Sequence, residues 1–334
     1  MNRKSRAFSL ALLLAIVMAP GVLKAQDAQP MSETSLGTAG AASRPGGATA
    51  PEGIAAGEVT GAPTGTAGPE AATFDGTYIW VATQFNDSVT RIRVSDGSIT
   101  GTFAVGKRPV ALLYAAGSVW VANLLSDNVM TLNPVTGAVT ATYAAGDGPG
   151  GLAFDGTNIW IANRESNNVT KLAAGTGANL GTFAVGKRPL GLAVVGGAVF
   201  VANNFSNSVT KLSPAGAVLG TYPVGRGPFG VAGQGENVWV TNYFGKTVTK
   251  LRAADGLNLG TFKVGDGASG IVFDGTSMWV VSNGDNNVMK LAPATGSIVS
   301  TYATGKGPFA VVFDGARIWV PNFASNSISS TTAN

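Results

Sequence analysis

The chain is 334 residues long, 45% apolar and 12% charged, and contains neither cysteine nor histidine. Without those two residue types a Ser-His-Asp triad, a thiol nucleophile, a histidine-bearing zinc site and histidine-ligated haem are all excluded. The formal charge of +4 comes from 22 basic and 18 acidic residues, but Arg3, Lys4, Arg6 and Lys24 lie among the first 25, which hold no acid.

Those 25 residues differ in kind from the remainder of the chain. Residues 2–6 (NRKSR) are basic, Ala7 to Val22 is almost wholly apolar, and Leu23-Lys24-Ala25 puts a small residue before Gln26. This is the pattern of a secretory signal peptide over residues 1–25, cleaved after Ala25, which sends the protein to the periplasm or the medium. The rival reading is an N-terminal membrane anchor, but the apolar run is short and broken by Pro20. Cleavage leaves no membrane span, and no cysteine follows the run to carry a lipid. It also leaves 18 basic residues against 18 acidic ones, so the basic total gives no argument for a nucleic-acid partner. Residues 26–55 hold Ala, Gly, Ser, Thr and Pro with hardly any large apolar side chain. They cannot bury enough surface to offset ordering entropy and read as a disordered leader. An exported chain without disulfides must then rely on its core, which has to lie within 56–334.

From residue 56 on, the sequence repeats. Trp80, Trp120, Trp160, Phe200, Trp239, Trp279 and Trp319 are spaced by 40, 40, 40, 39, 40 and 40 residues. A fixed period of this length decides the fold before any local motif does. Within the copy Gly151–Pro189, Gly151 to Phe154 is a short apolar run and Asn158 to Ala162 a second, β-rich one. Asp155-Gly156 between them is a hairpin signal, with φ > 0 expected at both turn positions. A polar loop over 163–167 leads to the alternating Val169-Thr-Lys-Leu172, and Gly175-Thr-Gly177 turns into Leu180 to Val185. No window shows a capped 3.6-residue period. The expected fold is therefore all-β: a seven-bladed β-propeller of four-stranded antiparallel blades, about 40 residues each. A β-helix has shorter repeats and needs no hairpin inside each.

Two further patterns fit. Ala71, Ala111, Gly151, Gly191, Gly230, Gly270 and Ala310 occupy one register, small enough for innermost strands to converge on an axis. The aromatic of the second strand fills the gap between blades; a buried Trp removes on the order of 200 Å² from water. The last copy stops after its third strand at 326–330, so residues near Glu58-Val59-Thr60 are expected to supply the fourth and close the ring.

At Trp239-Val240-Thr241-Asn242, and more loosely at Ile79–Ala82 and Ile159–Asn163, the chain resembles YVTN-type bacterial β-propeller repeats. The longer FDGTNIWIAN…NNVTKL is similar to the propellers of the streptogramin (virginiamycin B) lyase group, over about residues 56–334. That resemblance implies a top-face site with a histidine base and Mg²⁺ near acidic residues. No histidine exists here, so no catalytic residue, cofactor or metal ligand carries over. The chain is also similar to exported propellers of enteric bacteria that bind single-stranded DNA, which use no catalytic group.

Other motifs dissolve into the repeat. Four G-x-G-x-x-G-like segments, at 146–151, 225–230, 265–270 and 305–310, lead into strands where a dinucleotide site needs a helix. Gly245-Lys246-Thr247 lacks the earlier glycine of a phosphate loop, since that position is Val240. Asp75, Asp155, Asp274 and Asp314 are whole blades apart and are explained by turn chemistry.

What varies among the copies is concentrated on one face, where the loops between strands two and three and the loops entering each next blade open together. These carry Lys107, Arg108, Arg164, Lys187, Arg188, Phe205, Arg226, Tyr243, Phe244 and Lys306, the candidate ligand residues. Cations interleaved with aromatics stack on bases or sugars and meet phosphates or carboxylates. Solubility of the turns and sealing of the axial mouth explain the same residues without a ligand. The expected protein is a monomeric, non-catalytic binding module for an anionic polymer such as single-stranded DNA, or for a peptide or glycan. Two alternatives stand beside it: a lyase using carboxylates only, for which Glu70, Asp147 and Asp266 are the acids to hand, and a cell-surface structural repeat protein.

Overall fold

A computed structural model of the chain describes residues 57–59 and 68–333. The expected signal peptide and leader, 1–55, lie outside the described residues. Seven four-stranded antiparallel sheets follow one another, six of them with all four strands in chain order from the axis outward. Blade three is typical: Pro149–Phe154 is innermost, followed by Asn158–Asn163, Asn168–Ala173 and, outermost, Asn179–Ala184.

The ring closes as the truncated last copy predicts. Gly57–Val59 is the outermost strand of blade seven, with Gly57 opposite Ser330, Glu58 opposite Ser329 and Val59 opposite Ile328. One blade is thus built from both chain ends, and its Ser327–Thr332 strand is paired on both sides. A chain starting at residue 64 loses Gly57–Val59 and is expected to melt lower by on the order of 5 °C in a calorimetric scan. An unchanged melting temperature would show that the pairing contributes nothing.

The core lies between blades. Trp160 is fully buried and packs with Ala162 and Val169 of its own blade against Leu192, Val199, Val201 and Leu212 of the next. Phe183 on the outer strand of blade three stands 5.7 Å from the Trp160 ring. Lys171 crosses the ring at 5.0 Å and donates from Nζ to the carbonyl of Pro214 in blade four at 2.7 Å. Lys211, Lys250 and Lys290 repeat this arrangement over Phe200, Trp239 and Trp279. What reads in sequence as plain strand alternation, VTKL, therefore includes a staple between blades.

The Asp-Gly turns differ from expectation. Gly156 takes φ of 97°, but Asp155 does not enter the positive region. The aspartate instead accepts the N–H groups of Thr157 and Asn158 on Oδ1, at 2.9 and 2.7 Å, and the Trp160 indole N–H on Oδ2 at 2.8 Å. Burial works to raise this carboxyl's pKa, yet the hydrogen bonds from Trp160, Asn158 and Thr157 hold it below its ordinary value. The same indole bond recurs at Trp80–Asp75, Trp279–Asp274 and Trp319–Asp314. Two consecutive positive-φ residues occur instead where the aspartate is missing, at Ala116-Gly117 and Gly196-Gly197.

Candidate ligand site at the axial mouth

On the face opposite those aspartates, a backbone bond ties the two loop types together in every blade. The residue after the second strand donates its N–H to the carbonyl of the residue two after the start of the entering loop: Arg164 to Gly148 at 3.0 Å, Asn204 to Arg188 at 3.0 Å, Leu124 to Arg108 at 2.9 Å. Gln84, Tyr243, Asn283 and Phe323 make the same bond to Gly68, Gly227, Gly267 and Gly307. This bond sets the positions of the residues around the mouth of the axis.

The accepting residue is left-handed in all seven blades. Five blades place glycine there, at φ between 54° and 68°, but blades two and four enter with Arg108 at 58° and Arg188 at 52°. An L-residue in that region costs about 1 kcal/mol. The conformation is held by the preceding blade, where Asp87 accepts the Arg108 N–H at 2.8 Å and Asn167 accepts the Arg188 N–H at 2.7 Å.

Three guanidiniums consequently converge. Arg164 is 9% and Arg188 7% exposed. Arg164 lies across Gly150, where an added Cβ would stand 2.1 Å from its Nε and would have to displace the guanidinium. Arg108 donates from Nε to Gln84 Oε1 at 2.7 Å, and the Arg188 guanidinium lies 4.7 Å from the Phe205 ring centre. Among the described residues, Arg164 Nε and both Nε and Nη1 of Arg188 are buried without a hydrogen-bond partner. Glu70, part-buried at the axis, has an equally unpartnered Oε2. The ion pairs closer than 4.0 Å include none of these four residues.

Charge and burial pull against each other here. Burial, then the repulsion of Arg164, lowers the Arg188 guanidinium to about 10. Burial lowers Arg164 and Arg108 as well, partly offset by Glu70. The Glu70 carboxyl is pushed up by burial against the attraction of Arg164 and Arg108.

The other side of the mouth is aromatic. Phe85, Phe323, Phe309, Phe229, Tyr243 and Phe244 form a continuous arc with successive ring centres 5.4, 5.8, 6.3, 5.9 and 5.3 Å apart. Tyr243 donates from its hydroxyl to Asn283 Oδ1 at 3.1 Å. Beneath the mouth, the inner strands enclose a cavity of about 240 Å³ along the axis, with Glu70, Arg164, Phe229 and Phe309 in its lining.

The candidate residues therefore separate into two sets. Lys107, Lys187, Phe205, Arg226, Phe244 and Lys306 are exposed on the rim. Lys107 pairs with Asp87 at 2.6 Å, whereas Lys187, Arg226 and Lys306 have no carboxylate within 4.0 Å among the described residues. Arg164 and Arg188 are buried at the mouth, Arg108 is half-buried with them and Tyr243 is half-buried in the aromatic arc, so these four do not line the open rim. Sequence reasoning picked Tyr243 and Phe244 from the aromatic arc but missed that they join Phe229, Phe309, Phe323 and Phe85 across blades one, five and seven. It also missed the left-handed slot, whose signal is legible in hindsight as Arg in two copies where five have Gly before the inner strand. No group of three or more Asp or Glu placed to hold a metal occurs among the described residues, nor any helix long and apolar enough to cross a membrane.

No protein-family model and no curated protein matches the sequence. Solved structures match it by fold. Hydrazine synthase of Kuenenia stuttgartiensis is similar at a TM-score of 0.73 and 19% identity, over 80% of this chain and 96% of that one. BamB from Moraxella catarrhalis is similar at 0.60 and 17%, over 80% and 85%. Virginiamycin B lyase from Staphylococcus aureus is similar at 0.71 and 18%, over 81% and 97%, and its variant with one histidine replaced by alanine is catalytically inactive. The chain shares with these proteins the β-propeller fold.

Proposed function

We propose that this chain is an exported, non-catalytic binding protein that takes an extended anionic ligand across its top face. Export rests on the N-terminal pattern of basic, apolar and small residues. The observation that carries the binding reading is the set of exposed cations Lys187, Arg226 and Lys306 without an ion-pair partner, on the same face as the aromatic arc. Single-stranded nucleic acid uses both features, since phosphates meet the cations and bases stack on exposed Phe85, Phe205 and Phe244. A lyase reading has less support: the similar enzyme loses activity with one histidine, and this chain has none.

The test is fluorescence anisotropy of the protein purified from expression of the full chain, with a labelled single-stranded oligonucleotide across a salt series. Binding that weakens with salt is expected, and replacing Lys187, Arg226 and Lys306 together by alanine should shrink the log–log salt slope by about 2. If oligonucleotide, acidic peptide and anionic glycan all fail to bind at low salt, the reading is wrong. Binding of peptide or glycan alone would retain the face and replace the ligand class.

A further inference from the structure

The buried part of the mouth is chemically distinct from the rim above it. A polymer lying on Lys187 or Arg226 has no need of guanidinium atoms buried beneath the surface. Yet Arg164 Nε and Arg188 Nε and Nη1 are buried donors without a protein partner, and both side chains are more than nine-tenths buried. Leaving such donors unmatched in the native state is costly, and native structures rarely do so without a reason. Arg188 and Arg108 moreover hold left-handed backbone that glycine holds in the other five blades. Backbone strain and unmatched charge at one place mark a site whose partner is a ligand.

The charges give the ligand's sign and size. Arg108, Arg164 and Arg188 face Glu70 and the exposed Glu165, whose charges act on them. The buried Arg164 and Arg188 donors left unmatched beside these carboxylates call for an anion. A planar guanidinium fork matches a carboxylate geometrically. Below the guanidiniums, the cavity of about 240 Å³ is lined mainly by Ala, Gly, Val, Leu, Ile and Phe. That falls short of the roughly 300–1,000 Å³ of pockets for drug-sized ligands, so the body it takes is one ring or a branched chain.

We infer that the axial mouth binds a small carboxylic acid, with its carboxylate on Arg164 and Arg188 and its apolar body in the axial cavity. The acid is either free or the C-terminal residue of a peptide. This site rests on buried guanidiniums, whereas the rim reading rests on the exposed Lys187, Arg226 and Lys306, although Phe205 borders both through its contact with Arg188.

The experiment is isothermal titration calorimetry on protein purified from expression of the full chain, using benzoate and N-acetylphenylalanine, with benzamide and N-acetylphenylalanine amide as uncharged controls. Saturable binding of at least one acid is expected, with its amide weaker by about tenfold or more. Tighter binding of N-acetylphenylalanine than of benzoate identifies a peptide terminus, and the reverse order a free acid. Arg188→Gly is the decisive variant, because glycine fits the left-handed slot. It should melt no lower than the parent without ligand and bind the acid about tenfold more weakly. If neither acid binds at millimolar concentration, or if Arg188→Gly binds as well as the parent, the inference fails. An oligonucleotide result of either sign leaves this outcome untouched.

Discussion

Replacing Trp160 by alanine is expected to cost about 4 kcal/mol and to lower the melting temperature by on the order of 10 °C. The indole is fully buried between blades three and four, against Leu192, Val199, Val201 and Leu212. Its removal leaves a cavity where β-sheets face each other, and four strands per blade cannot collapse inward without breaking their ladders. It also frees Asp155 Oδ2 and the Lys171 ammonium from the ring they enclose. Trp160→Phe separates these contributions. Blade four carries Phe200 at the same register, fully buried and crossed by Lys211, so an aromatic ring without an N–H is compatible with the blade. The phenylalanine variant should lose only about 1 kcal/mol, mainly the indole hydrogen bond to the aspartate. Chemical denaturation of both variants measures this, and equal losses would contradict the cavity account.

Substituting Gly151 by alanine is expected to destabilise the protein by on the order of 3 kcal/mol, the upper range for overpacking. An added Cβ would stand 1.9 Å from the Leu190 carbonyl oxygen of the neighbouring inner strand. Backbone cannot swing aside as a flexible side chain can, so the two blades must separate at the axis. Gly270 offers the control. Its added Cβ would lie 2.8 Å from the Phe309 carbonyl oxygen, and the equivalent positions of blades one, two and seven are already Ala71, Ala111 and Ala310. Gly270→Ala should therefore cost about 1 kcal/mol. Urea midpoints for both variants decide the matter; if Gly270→Ala is the more damaging, the axis is not limited by this contact.

The two halves of the mouth explain why a protein with no catalytic histidine or cysteine still keeps a costly cluster at its centre. The exposed lysines and Arg226 vary the surface at little expense. Arg164, Arg188 and the half-buried Arg108 do not, since burial opposes the charge of each, and Arg108 and Arg188 also hold left-handed backbone. Such a cluster survives where a bound anion stabilises it, and its position above an apolar cavity limits what that anion can be.

Much of this molecule was determined by the sequence on its own. The 40-residue spacing of Trp80 through Trp319 dictates seven blades, because each copy is one sheet that cannot bury its faces without neighbours. The small residues from Ala71 to Ala310 reflect convergence on an axis, and the missing last strand reflects a copy cut short; Gly57–Val59 supplies it. All of these are periodic, and periodic signals survive in one dimension. The site is not periodic. Glu70, Arg108, Arg164 and Arg188 belong to four different blades, and only closure of the ring brings their charges within range of one another. Whether an arginine serves the rim or the mouth depends on the bond from the neighbouring loop and on the left-handed φ at 108 and 188, neither of which is written in the residue type. Tertiary structure alone decided that Lys187 meets water while Arg188, its neighbour in sequence, is buried against Phe205, because one residue of loop turns the side chain from the solvent to the axis.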